Sequence, residues 1–230
     1  ERTAGNYRLD TGWFSRSETA ADDPNSYSFD VASDSALNQG NEEAGQINFR
    51  VARLVQSQAG KTEVGLSYQY GIIHNTITKK DGHHYAYGVH VDKTIDRWHF
   101  QAQYFQYKYE LKNPAGADVD KVLISGYTYP FFMAADSDIV TLNIAKSNML
   151  AGGLDASQCY SDLSVSKPQN SYFDTSVQWV NGCRINKGIA MVFVDWIQAK
   201  NTIFAGGSGI ATNQDGSWAH TVNINLTLLW

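Results

Sequence analysis

The sequence predicts an all-β fold made of antiparallel strands, and three observations lead to that prediction. Apolar and polar residues alternate with a period of two along nearly the whole chain, a pattern typical of strands with two different faces. The 3.6-residue period of an amphipathic helix is almost absent. Among 230 residues only 18% are charged, while 13% are aromatic. We therefore expect a single domain over residues 1–230 whose strands present one apolar and one polar face.

The composition excludes several classes of protein. A formal net charge of −5 provides no electrostatic surface for nucleic acid, so no nucleic-acid partner is expected. The longest apolar run, residues 189–194, is far shorter than the roughly 18 residues of a membrane-spanning helix, which excludes a helical membrane protein. Because the chain opens on Glu1 rather than Met, we expect a processed or trimmed product. Two cysteines, Cys159 and Cys183, allow one disulfide at most.

Each strand is predicted from its own alternation. In the last one, for example, Val222 and Ile224 share a face with Leu226, while Asn223 and Asn225 lie on the other. The same reasoning gives eleven strands, at about residues 7–13, 27–31, 47–51, 64–70, 85–91, 98–104, 122–131, 140–144, 173–179, 190–196 and 221–230. The two faces of the segment 122–131 are the least distinct, and Pro130 suggests that this strand ends there.

Long and short connections are expected to alternate between these strands. The short inner turns are predicted at residues 57–60, 93–96, 132–136 and 184–188. The long outer loops are predicted at residues 35–44, 76–82, 111–120, 147–170 and 201–217. The strand register of two hairpins can also be predicted, because pairing should bring apolar residues opposite one another. The expected pairs are Val91 opposite Trp98, Val89 opposite Phe100 and His90 opposite His99 in one hairpin, and Val51 opposite Leu66, Phe49 opposite Tyr68 and Ile47 opposite Tyr70 in the other.

Two architectures could use such strands. In a soluble β-sandwich the apolar face is the core and the polar face is solvated and rich in charge. In a transmembrane β-barrel the apolar face meets lipid and the polar face lines a lumen. Here the polar faces carry mostly Ser, Thr, Asn, Gln and Gly, and the apolar faces carry many Tyr and Trp near strand ends. Most strands are long enough to cross a bilayer when tilted. These features favour an antiparallel transmembrane β-barrel over the alternative, a soluble carbohydrate-binding sandwich.

The C-terminal strand supports the same interpretation. Its alternating apolar residues end in an aromatic one: Val222, Ile224, Leu226, Leu228 and Trp230. This segment resembles the C-terminal assembly signal of Gram-negative outer-membrane proteins, in which Phe is the usual last residue. With the strands that precede it, the chain resembles an outer-membrane porin over most of its length. The resemblance implies the outer membrane of a Gram-negative bacterium as location, the barrel-assembly machinery as a partner, and a homo-oligomer, commonly a trimer.

An odd strand number leaves two alternatives open, because bacterial single-chain barrels are almost always even. In one, the eleven strands are the C-terminal part of a larger barrel of about 16 strands. In the other, residues 159–165 form a twelfth strand paired with residues 177–183. That hairpin would place Cys159 opposite Cys183, allow a disulfide between them and complete a twelve-stranded barrel. We favour the larger barrel, because the connections upstream fit it better.

The polar faces then predict the lining of a pore. Opposed charges across a pore create a transverse field that orients polar solutes. We expect an outer-membrane channel for passive diffusion of small hydrophilic solutes and ions, with the lipid bilayer as a partner and without a cofactor. The alternative is a non-conducting barrel that acts as a receptor or adhesin, with a lumen plugged by residues 147–170. The predicted pore-lining residues are Arg8, Asp10, Asp30, Arg50, Glu63, Gln69, His84, His90, His99, Gln101, Gln103, Asp174, Gln178, Asp195, Asn223 and Asn225.

No enzymatic or metal site is expected. His90 and His99, with Asp92 near, lack a third ligand at a defined spacing. Histidines predicted on strands point to the polar side, and on the outward, apolar side no serine is placed beside a histidine to serve as a nucleophile. The glycine-rich stretch 205–209 precedes no helix and therefore does not read as a phosphate-binding loop.

Overall fold

The structure is a computed structural model. It describes residues 2–4, 6–14, 30–34, 37, 39–58, 60–126, 129–148, 156–203, 209–212 and 216–228. Within that part of the chain there is no helix long and apolar enough to cross a membrane. Its strands are β1 (Arg2–Ala4), β2 (Tyr7–Phe14), β3 (Asp30–Val31), β4 (Ser33–Asp34), β5 (Gln39–Ser57), β6 (Gly60–Asn75), β7 (Lys80–Ile95), β8 (Trp98–Glu110), β9 (Lys121–Gly126), β10 (Tyr129–Ala134), β11 (Asp136–Ser147), β12 (Ala156–Pro168), β13 (Ser176–Lys187), β14 (Ala190–Lys200), β15 (Gly209–Ile210) and β16 (Trp218–Leu228).

The principal sheet is antiparallel and follows the chain from one edge to the other. Its strand order is β1-β2-β5-β6-β7-β8-β11-β12-β13-β14-β16, with β4 paired to β5 beside this path. Ten of these strands are long, between 8 and 19 residues, and β1 has 3. The predicted all-β antiparallel fold is therefore confirmed. Within the described residues the sheet is not closed, since β16 forms no ladder with β1 or β2.

A second, smaller sheet has the order β15-β10-β9-β3. It corrects one predicted strand, because residues 122–131 do not cross the principal sheet but fall in the β9–β10 hairpin. The turn predicted at 132–136 is wrong for the same reason, since β10 continues to Ala134. Of the strand predicted at 27–31, residues 30 and 31 pair with β9 in this small sheet, and residues 27–29 lie outside the described part of the chain.

The twelfth strand, which the sequence analysis gave as an alternative at residues 159–165, is present as β12. It pairs with β13 so that Cys159 lies opposite Cys183, and a disulfide joins the two residues across a Cα–Cα distance of 4.0 Å. The long outer loop predicted at 147–170 is therefore wrong, because residues 156–168 of that segment form a strand of the principal sheet. Its strand was hard to recognise because serines occupy both faces of β12, which weakens the alternation of apolar and polar residues.

The two predicted hairpin registers have different outcomes. In the β5–β6 hairpin Val51 lies opposite Leu66, as expected. In the β7–β8 hairpin the expected register is wrong by four residues, since Val89 lies opposite Tyr104 and His90 opposite Gln103. Asp96 adopts a positive φ of 52°, which permits a two-residue turn and lets pairing continue to the strand ends. A shift by an even number leaves every side chain on its predicted face.

The connections differ between the two ends of the principal sheet. At one end four of the turns are two residues long, at 5–6, 58–59, 96–97 and 188–189, and a fifth connection spans 148–155. We call this the short-turn end. The opposite end, which we call the long-connection end, carries segments 15–38, 111–135 and 201–217 together with shorter links at 76–79 and 169–175. The predicted asymmetry of connections is therefore present, although several loop boundaries move.

Packing separates the two faces of the principal sheet. The small sheet packs on the polar face toward the long-connection end, where Val31, Val122, Ile124 and Phe131 join Ile73 and Leu111 in a buried cluster. The other face, which we call the apolar face, keeps large side chains exposed on nearly every long strand. These include Leu9, Phe49, Leu66, Tyr68, Val89, Phe100, Leu142, Val194, Trp196, Val222, Ile224 and Leu226.

Replacing both cysteines, as Cys159→Ser with Cys183→Ser, should lower the free energy of unfolding by about 3 kcal/mol. The disulfide closes a chain separation of 24 residues, and losing it restores conformational freedom to the unfolded chain. Denaturant titration of the folded protein, followed by tryptophan fluorescence, measures the change. Reducing the parent protein in denaturant, before it refolds, should bring it to the level of the double variant, and the same treatment should leave the variant unaffected. Equal midpoints without reductant would contradict the expectation.

Candidate functional site

A charged cluster lies near the middle of the polar face. Arg50 Nη2 is 2.5 Å from Glu63 Oε1 and 3.1 Å from His90 Nε2, and His90 Nε2 is 3.0 Å from Glu63 Oε1. The three residues come from β5, β6 and β7. His90 is opposite Gly65 in the ladder, and Arg50 and Glu63 lie one polar-face position to either side of that row. Gly65 lets the imidazole lie flat along the wall, since a Cβ there would be 2.3 Å from His90 Cε1. The cluster therefore depends on a glycine as much as on its charges.

Two further charge groupings flank this cluster. On β2, Arg8 Nε lies 3.0 Å from Asp10 Oδ2. On the other side, Asp92 on β7 accepts a hydrogen bond from Gln101 at 2.7 Å and lies 2.9 Å from His99 Nε2. His99 thus contacts Asp92. The predicted register had placed His99 opposite His90, and that pair is not formed.

A cavity of about 390 Å³ joins these groups into one site. Its lining runs from Arg8 and Arg50 on one side, through Glu63 and Asp92, to Asp162 on β12 at the other. Guanidinium groups therefore lie on one side of the cavity, with carboxylates at its middle and far side. Such an arrangement creates a transverse field that can orient a polar molecule in the cavity. Asp162 was not among the predicted lining residues, because the strand at residues 159–165 was only one of two alternatives left open by the sequence.

A second polar cluster lies at a similar height on the polar face, on β12 to β16. Tyr160 donates a hydrogen bond to Asp195 Oδ1 at 2.5 Å, and Asn223 Nδ2 donates to Asp195 Oδ2 at 3.1 Å. These residues join β12, β14 and β16 across Gly182 of β13, where an added Cβ would be 2.1 Å from Asp195 Oδ1. Asp195 and Asn223 lie where the alternation predicted, whereas Tyr160 was missed together with its strand.

The remaining predicted lining residues divide into those on the polar face and those elsewhere. Gln103 lines the charged cavity, and Gln69 donates to Gln46 at 2.9 Å. Gln178 and Asn225 are on polar-face positions of the ladders that β13 and β14 form with their neighbours. Three predicted residues differ. His84 is buried under the small sheet, stacked on Tyr109 at 5.2 Å. Asp30 lies in the small sheet, and Asp174 precedes β13 rather than lying on it.

The residues of the proposed assembly signal lie on the apolar face. Val222, Ile224, Leu226 and Leu228 are between 46% and 69% exposed, and Trp230 is outside the described residues. In the part of the chain that the structure describes, no group of three or more His, Cys, Asp or Glu side chains is placed to hold a metal ion.

Comparison with protein-family models, with curated proteins and with solved structures finds no significant match. What the polar face can do therefore has to be judged from its own residues.

Replacing Gly182 by alanine should destabilise the protein by about 1 to 3 kcal/mol, because the new Cβ would displace Asp195 and break its bond with Tyr160. A Tyr160→Phe variant should lose a similar amount, and combining the two changes should add little. Unfolding titrations of the three variants measure this coupling. Asn181→Ala changes the neighbouring residue on the opposite face and serves as the control. Additive losses would show that Gly182 does not act through the tyrosine.

Proposed function

We propose that the principal sheet is the wall of a transmembrane β-barrel that lets small hydrophilic solutes and ions diffuse passively across the outer membrane of a Gram-negative bacterium. One observation carries the proposal: large apolar side chains cover one face of the sheet and nothing in the described chain covers them. Leu66 is 56% exposed and Ile224 is 69% exposed. A soluble sandwich would bury that face against a second sheet. The small sheet packs on the polar face instead.

The height of the apolar band fits a bilayer. On β6 it spans residues 64–72, with Val64, Leu66, Tyr68, Tyr70 and Ile72 all exposed. Nine residues at roughly 3.3 Å each make about 30 Å of strand. A strand tilted by about 40° then rises about 23 Å, close to the roughly 25 Å apolar band of outer-membrane barrels.

Polar and aromatic residues bound this band at both ends. Toward the long-connection end, His83 lies 3.2 Å from Glu110, and its ring stacks on Tyr70 at 5.9 Å. Toward the short-turn end, Lys146 lies over the ring of Trp98 at 4.6 Å. Aromatic rings beside charged groups are typical of the lipid–water interface, where one part of the side chain is apolar and the other hydrated.

The arrangement of the connections supports an orientation. Outer-membrane barrels have short periplasmic turns and longer extracellular loops. The short-turn end would then face the periplasm, and β16 ends there, as an assembly signal read by the barrel-assembly machinery requires. A trimer or other homo-oligomer stays a prediction carried by the resemblance alone.

Open sheet edges set a condition on the proposal. In lipid, each unpaired backbone group at an edge costs several kcal/mol. The outer edge of β16 and the edge formed by β1 and β2 must therefore be paired when the protein is inserted. They either pair with each other or with additional strands, as in the larger barrel of about 16 strands.

A charge placed on the apolar face separates the membrane protein from the soluble sandwich. Leu66→Arg should lower the stability of the protein folded into lipid vesicles by about 2 to 4 kcal/mol. Ser67→Arg puts the same charge one residue along β6, on the polar face, and should cost clearly less. Unfolding titrations in vesicles measure both variants. If the parent protein is folded and soluble without detergent, and Leu66→Arg has no effect, the sandwich is correct.

Conductance tests the channel itself. In planar bilayers the parent protein should give stepwise currents, and Arg50→Gln should raise the permeability of K⁺ relative to Cl⁻ several-fold by removing a lumen cation. The reversal potential in a KCl gradient measures this ratio. Arg53→Gln, on the apolar side of the same strand, changes the net charge equally and should leave the ratio unchanged. A folded, inserted but silent protein would instead favour the receptor or adhesin alternative.

A further inference from the structure

A second cavity of about 470 Å³ lies on the polar face next to the charged one, on its long-connection side. The two share Arg50, Ser67 and Gln103 in their linings. Its volume is within the range of small-molecule sites, about 300 to 1,000 Å³. A solute that entered from the long-connection end would therefore meet this cavity before the charged cluster. We call it the phenyl cavity, after Phe14 and Phe105, which line it on β2 and β8.

Small residues form the floor of the phenyl cavity. Gly12, Ala86 and Gly88 lie on polar-face positions of β2 and β7. A Cβ on Gly12 would lie 3.2 Å from Cε2 of Phe14, and a Cβ on Gly88 would lie 2.7 Å from Cβ of Phe105. The glycines therefore leave space in which each phenyl side chain can lie close to the wall. Phe14 is 54% exposed, so its ring is open to a ligand.

Carboxamides supply the polar groups of the same cavity. Gln69 Nε2 donates to Gln46 Oε1 at 2.9 Å, and Gln46 Nε2 donates to Asn48 Oδ1 at 3.0 Å. These bonds orient the chain of amides and, among the described residues, leave Asn48 Nδ2 and Gln69 Oε1 without a hydrogen-bond partner. One donor and one acceptor are therefore available in the lining, beside the aromatic rings.

The charges around the phenyl cavity are already compensated. Arg50 pairs with Glu63, and Asp10 pairs with Arg8. An ionic solute would find no unmatched charge there. A neutral solute with an apolar ring face and hydroxyl groups at its edge would match both the phenyl rings and the amides.

From this combination we propose that the phenyl cavity binds neutral sugars in their ring form. The inference rests on the proposed channel function and names its solute class. A pyranose would place its C–H face against Phe14 or Phe105 and share hydroxyl hydrogen bonds with Asn48 and Gln69. Binding at this point would hold the sugar at the entrance to the charged cavity.

Equilibrium dialysis of radiolabelled D-glucose and maltose against the detergent-folded protein tests binding without requiring conductance. Saturable binding of at least one sugar is expected, with none for mannitol, which has the hydroxyl groups but no ring. Phe14→Ala and Phe105→Ala should each weaken sugar binding by about fivefold. Phe100→Ala removes a phenyl ring from the apolar face of β8 and should leave sugar binding unchanged. Tryptophan fluorescence and denaturant titration establish that each variant is folded.

The outcomes separate this inference from the channel. Currents that are unaffected by sugar, together with no saturable sugar binding, would overturn the inference and leave the channel standing. Saturable sugar binding by a protein that gives no current would support the cavity and overturn the channel. Binding of uridine in place of both sugars would show that the cavity takes a planar base. Equal sugar binding by the parent, Phe14→Ala and Phe105→Ala proteins would place the sugar elsewhere.

Discussion

The two-sided character of each strand is the constraint on which the rest of the structure depends. Because side chains alternate along a strand, every long strand must place its apolar residues together on one face and its polar residues on the other. Antiparallel pairing then joins ten such strands into a sheet with one apolar and one polar surface. Hydrophobic burial cannot be satisfied within the described chain on the apolar side. On the proposed membrane placement, lipid covers that face.

The face on which each side chain lies could be predicted from sequence, because an error of register by an even number of residues does not change it. The β7–β8 hairpin shows this, since a four-residue shift changed all partners and moved no side chain to the other face. The shift itself could not be predicted, because it follows from the positive φ of Asp96 in the turn. Residues 122–131 were assigned to the wrong sheet for a different reason. Val122, Leu123 and Ile124 are consecutive apolar residues, and a segment buried on both sides has no alternation that shows its direction.

For the candidate site, too, the sequence predicted the face on which a residue lies but not its contacts. Arg50, Glu63 and His90 were placed on one face by alternation alone, but their mutual contacts depend on the registers of two hairpins. Tyr160 and Asp162 were missed because serines on both sides of β12 obscure its period. The glycines beneath the clusters carry no side chain, so no periodicity could indicate that Gly65 and Gly182 make space for the groups above them.

The position of the disulfide has a consequence for the order of events during assembly. Cys159 and Cys183 occupy apolar-face positions, in line with Leu163 and Trp179 on the same ladder. Disulfide formation proceeds through a charged thiolate, and hydrocarbon strongly disfavours an ion. On the proposed membrane placement, oxidation therefore precedes insertion, while the β12–β13 segment is still in water. The hairpin would enter the bilayer already cross-linked, with its register fixed for the strands that pair beside it. The lipid would afterwards shield the disulfide from reductants.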